Sequence, residues 1–164
     1  MSLLNQVFQG NPNTLGLTAA GGSQIAPNVG IDTVNGALYE SVGNGWLALA
    51  GATVSKTVQS AITAEANTVT FAVPQTGLYQ ITVYEVSTTA TAGTLPAETA
   101  TWTDADSSVA STNAFLTSKA TAAAGTVNSG TVTVNALAGT NIVLTASAFA
   151  TATYTIKTRI QFLG

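Results

Sequence analysis

Neither cysteine nor histidine occurs among the 164 residues. The first absence excludes disulfide staples and thiolate metal sites. The second removes the commonest general base and the commonest transition-metal ligand. Charge is scarce as well: four basic and seven acidic residues, where an ordinary soluble domain carries about a quarter charged residues. The surface must therefore be built from Thr, Ser, Asn, Gln, Gly and Ala. A net charge of −3 without any run of Lys and Arg argues against a nucleic-acid partner, which needs clustered cations. No window reaches the ~18 consecutive apolar residues of a membrane-spanning helix. The opening MSLLNQVFQGNPN lacks the basic start and long apolar stretch of a secretory signal. The expectation is a soluble chain made in the cytoplasm, with no membrane partner.

What is present is alternation. In 68–86, TVTFAVPQTGLYQITVYEV, Val69, Phe71 and Val73 share one face, and Tyr79, Ile81 and Val83 share another. A strict period of two marks a half-buried strand. Between the runs stands Pro74-Gln75-Thr76-Gly77, whose proline and glycine suit a turn. The stretch reads as a hairpin.

Residues 1–30 hold seven Gly or Pro and short apolar islands, with neither helical nor regular strand patterning. They read as a disordered tail or as an arm that orders along a partner; Leu4, Val7, Phe8, Leu15 and Leu17 are the candidate attachment residues. The division is an extended arm at 1–34, followed by a hairpin plus sandwich domain at 35–164. In 37–50, Leu38-Tyr39 and Trp46-Leu47 flank Gly43-Asn44-Gly45, a hairpin signal. Tyr39 and Trp46 either pack that hairpin or form an aromatic contact surface for sugar.

Residues 51–63 read as a strand carrying Val54 and Val58, with a loop at 64–67. After a loop at 87–96, the strand at 98–104 puts Glu98, Ala100 and Trp102 on one face and Thr99, Thr101 and Thr103 on the other. A turn at 104–108, a strand at 109–119 and a loop at 120–130 follow. The last three strands are 131–137, 141–150 and 153–163; the final one turns Tyr154, Ile156, Ile160 and Phe162 inward. Eight or more short strands without a helix predict an all-β antiparallel β-sandwich, most simply a jelly roll.

Candidate chemistry is thin. Asp104 and Asp106 beside Ser107 and Ser108 offer oxygen ligands for calcium, or ordinary turn-capping groups. Glycosidase work needs two carboxylates across a cleft. Glu85 and Glu98, if on adjacent strands, are the nearest approach to one; a surface position or a basic partner is the expectation for both. No histidine activates a serine, no G-x-S-x-G elbow is present, and no phosphate-binding loop opens a helix. The chain is read as no enzyme, with no cofactor and no metal. The Thr-rich faces, and faces near Tyr84 and Tyr154, either meet water or bury against sister subunits, as low charge suits an interface core.

The segment FAVPQTGLYQITVY resembles the F-x-V-P-x-x-G-x-Y element of the C1q/tumour-necrosis-factor jelly roll, with Phe71, Pro74, Gly77 and Tyr79 in the matching places. TAGTLPAETATWTDADSS, VNALAGTNIVLTAS and YTIKTRIQFLG resemble β-sandwich proteins of tailed bacteriophages, and NGALYESVGNGW is similar to a hairpin preceding such domains. The resemblance implies a homotrimeric jelly roll on a virion, as a capsid decoration or head-fibre protein. Its partners would be itself and the major capsid protein or another virion protein, on the capsid exterior. The other reading is a receptor- or carbohydrate-binding tail or fibre module, meeting a surface glycan through Tyr39, Trp46 or Trp102.

Overall fold

The computed structural model describes residues 6–8, 29–33, 37–42, 45–49, 51, 53–62, 68–89, 92–147 and 153–164. The chain is all-β. Four short strands, β1 (Gln6–Phe8), β2 (Val29–Asp32), β3 (Ala37–Val42) and β4 (Gly45–Ala48), form a small sheet in that order. Strands β1 and β2 pair in parallel, and the other pairs are antiparallel. The hairpin expected at 37–50 is therefore present, with Val42 opposite Gly45; its turn residues Gly43 and Asn44 lie outside the described residues. The region before residue 35 contributes two strands to this sheet, where sequence patterning shows none. Strands of three or four residues are too short to display alternation; β2 pairs with β3, and β1 in turn with β2.

The main body comprises β5 (Thr53–Ile62), β6 (Thr68–Ala72), β7 (Gly77–Ser87), β8 (Gly93–Leu95), β9 (Glu98–Thr103), β10 (Ala110–Leu116), β11 (Lys119–Thr121), β12 (Val127–Ala136), β13 (Asn141–Ala146) and β14 (Tyr154–Phe162). One sheet runs β10-β9-β13-β6, the other β12-β7-β14-β5, and β8 with β11 makes a small ribbon. Four antiparallel pairs nest inside one another: β5 with β14, β6 with β13, β7 with β12, and β9 with β10. That is one long antiparallel hairpin rolled over itself, the jelly roll.

This nesting corrects the reading of 68–86. Strands β6 and β7 are not partners; β6 pairs with β13, and β7 lies between β12 and β14. The Pro74–Thr76 connection carries the chain from one sheet to the other. Its apolar faces look at each other across the core, as the 5.9 Å separation of the Phe71 and Tyr79 rings records. Alternation tells which side of a strand is apolar but not which strand lies beside it. The Tyr79 hydroxyl donates to the Gln75 carbonyl at 2.6 Å and pins the arch. Gly77 has φ +151°, and a Cβ there would stand 2.8 Å from both the Phe162 ring and the Gly164 carbonyl oxygen. No larger residue fits that approach.

The core fills from both sheets. Phe71, Ala100, Ile142 and Leu144 come from one, and Tyr79, Ile81, Val83, Val134, Ile156 and Ile160 from the other. Each such aliphatic side chain contributes roughly 1.5–3 kcal/mol on full burial. Strand β5 departs from expectation, because Val54 is buried while Val58 is 54 % exposed. A register shift lies where Ile160 pairs with Ser55 and Gln161 with Thr53. The extra residue reverses the inward side, so Ser55, Thr57 and Gln59 become the less exposed positions. The loops expected at 87–96 and 120–130 are shortened by β8, β11 and an early start of β12. The expected loop at 64–67 and the tail of the 141–150 strand lie outside the described residues.

Candidate interaction surfaces

Alternation gives each sheet of the sandwich one inner and one outer face. On the outer face of β10-β9-β13-β6, register places Thr112, Thr101, Val143 and Thr70 in one cross-strand row, and Ala114, Thr99 and Thr145 in the next. Thr103 and Ala110 continue the surface. No charged residue stands among these positions. The central Thr99, Thr101, Thr103 and Val143 are half-buried by their neighbours, while Thr70, Thr112 and Ala114 on the edge strands are exposed.

The outer face of β12-β7-β14-β5 is different. One row reads Val58, Lys157, Tyr84, Ser129, and the next Lys56, Arg159, Thr82, Thr131. Three of the chain's four basic residues meet here, and among the described residues no acidic side chain shares the face. The Arg159 Nε donates to the Thr53 hydroxyl at 2.9 Å, and the Thr82 and Thr131 hydroxyls lie 3.3 Å apart. The fourth cation, Lys119, sits elsewhere and donates to the Val127 carbonyl at 2.7 Å.

Between the sheets lies a carboxyl pair that alternation foreshadows. Glu85 follows Tyr79, Ile81 and Val83 at the same parity, and Glu98 shares the inner face of β9 with Ala100. Both are buried, at 0 % and 3 % exposure. The expectation of surface positions is therefore overturned, as is that of adjacent strands: β7 and β9 belong to different sheets. Burial, the main cause, pushes Glu85 up to about 7, against lowering hydrogen bonds from Asn128 and Glu98. Glu98 is pushed up to about 8 by burial first, then by the Glu85 charge and the hydrogen bond between the two. Two carboxyls held above their ordinary range can share a proton between the sheets. Asn128 Nδ2 approaches Glu85 Oε2 at 3.4 Å and donates to the Thr117 carbonyl at 2.9 Å. Burial, then Glu85 and Glu98, hold the Tyr154 hydroxyl well above its ordinary value.

The candidates named from sequence fall as follows. Leu4, Leu15 and Leu17 lie outside the described residues; Val7 and Phe8 lie on β1. Tyr39 and Trp46 are 0 % and 2 % exposed and belong to the core, so neither ring offers a stacking face. The burial of Tyr39, with Asp32 and Tyr79 nearby, raises its hydroxyl pKa. Trp102 is half-buried against the core. Tyr154 is buried within its own chain, whereas Tyr84 is 38 % exposed. The Asp104 turn is present: Asp104 Oδ1 accepts from the Asp106 and Ser107 amides and the Ser107 hydroxyl at 3.0–3.1 Å. Those bonds, Ser107 foremost, hold the Asp104 carboxyl below its usual value. No group of three metal-ligating side chains occurs among the described residues. The sequence did not bring Lys56 to Lys157 and Arg159, because their meeting depends on strand register.

No family model matches the chain, and no curated protein matches it. Among solved structures, it is similar to the Clostridium thermocellum N-terminal endo-1,4-beta-D-xylanase 10B, CBM22-1-GH10 modules complexed with xylohexaose, at 16 % identity and a TM-score of 0.34. The match covers 56 % of this chain and 18 % of that one. A likeness of that size carries no argument about function.

Proposed function

We propose that the chain is a non-enzymatic structural protein of a bacteriophage virion. It would be a homotrimeric capsid decoration or head-fibre protein that binds and stabilises the capsid exterior. The observation that carries the reading is the charge-free Thr/Ala face of β10-β9-β13-β6. Burying such a face against a sister subunit desolvates no ion, and interface cores are depleted of charge. Trimers packed this way leave residues 1–34, which include β1 and β2 of the small sheet, to attach to the shell, where each trimer would bridge neighbouring capsid subunits and stiffen them. The close carboxyl pair supports a structural role too, since it lies inside the sandwich rather than across an open cleft.

The test is the native mass of the full chain by light scattering on a sizing column. Three chains are expected, and a clean monomer would overturn the reading. Thr101→Lys, which sets a charge in the middle of the face, is expected to return the trimer to monomers while far-UV circular dichroism stays unchanged.

A further inference from the structure

We infer that the outer face of β12-β7-β14-β5 is a docking surface for an acidic polysaccharide, a chain carrying one carboxylate per sugar. The inference stands on this face alone and does not depend on a virion role. Lys56 lies directly opposite Arg159 across the β5–β14 ladder, and Lys157 shares the same side of β14 two residues away. Like charges directly opposite are destabilising, and no carboxylate of the described residues relieves them on this face. An anionic partner would. The cations are spaced by about 5 Å between strands and about 7 Å along one.

That spacing suits a sparse polyanion. A nucleic-acid duplex, with one charge per roughly 1.7 Å, demands a longer basic track than three residues. An acidic protein surface would call for an apolar, well-packed centre. Here the centre is polar: Thr82, Thr131, Gln80 and Gln161 stand around Arg159. Hydroxyls and amides are the groups that exchange hydrogen bonds with sugar hydroxyls. The exposed Tyr84 ring, next to Lys157, supplies an amphipathic surface for the apolar side of a sugar. The hydrogen bond from Arg159 Nε to Thr53 anchors one side of the guanidinium, so that less side-chain freedom is lost on binding.

The experiment is affinity electrophoresis of the full chain in gels containing polygalacturonate, with neutral dextran, polyglutamate and duplex DNA as parallel gels. Retardation by polygalacturonate alone is expected. Joint replacement of Lys56, Lys157 and Arg159 by Gln should weaken it at least tenfold, and Tyr84→Ala should weaken it severalfold. Lys119→Gln, a cation away from the face, should leave it intact. Thermal melts of each variant establish that it is folded. Absence of retardation, equal retardation by polyglutamate or DNA, or equal loss in Lys119→Gln would each overturn the proposal. Native mass separates this outcome from the association reading, since the triple variant keeps its oligomeric state if only glycan docking is lost.

Discussion

The two outer faces of the sandwich rest on four-stranded antiparallel sheets of the same construction, yet they are different surfaces. One carries Thr, Ala and Val without a charge; the other collects Lys56, Lys157 and Arg159. Their inner faces, by contrast, are alike and fill one shared core. The fold demands apolar residues only where the sheets meet. Outside, composition is free to differ, and three of the chain's four basic residues stand on one side while the other carries no charge.

That contrast can be tested from the inside out. The largest effect should come from the shared core: Ile160→Ala removes a fully buried side chain and should cost about 2–5 kcal/mol. Urea unfolding followed by tryptophan fluorescence and by circular dichroism should then give one coincident, shifted transition. Two separate transitions would mean that the sheets do not share a core.

Next comes the carboxyl seam between the sheets. An unfolded glutamate titrates near 4.5, whereas Glu85 and Glu98 hold their protons to about 7 and 8. The folded chain binds more protons over that interval, so stability is full below about pH 4.5 and falls as pH rises through those values. A progressive loss between about pH 4.5 and pH 8 is expected, read as a falling urea midpoint. Glu98→Gln keeps a donor for Glu85 and should flatten the profile. A profile already flat in the unaltered protein would place both carboxyls in water.

Smaller still is the effect of Thr101→Lys. It should abolish association but move the unfolding midpoint of the dissociated chain by less than about 1 kcal/mol, because the side chain faces away from the core. Smallest is neutralisation of the basic face. Replacing Lys157 by Gln should shift stability by no more than about 0.5 kcal/mol and leave the native mass unchanged. If mass changes with Lys157 and not with Thr101, the roles of the two faces are reversed.

How much of this was legible beforehand follows the reach of each interaction. Strand β14 declared itself, since Tyr154, Ile156, Ile160 and Phe162 alternate with Thr155, Lys157, Arg159 and Gln161. Strand β5 was legible as a strand but its inward face was not, because its bulge swaps the inward side partway along. The parity of Glu85 with Ile81 and Val83 was a sound signal of burial. Ordinary expectation for glutamate argued the other way, and it lost because two carboxyls sharing a proton can be buried together. Pairing was the part that no local pattern could supply. Pro74 and Gly77 mark a reversal of the chain, but whether the strands around it stay in one sheet or cross to the other depends on β13, β12 and β14.

The nested ladder also dictates the order of events during synthesis. Because β14 pairs with β5 and separates it from β7, β5 waits for its neighbour until almost the whole sandwich has left the ribosome. Folding of this domain thus waits for its last strand and is rich in long-range closures, which makes it slow. In the interval β5 and β7 present open edges to every other nascent chain nearby. Scarcity of charge gives little electrostatic protection then. Lys56, within β5, is the charged side chain that guards its waiting edge against the wrong partner.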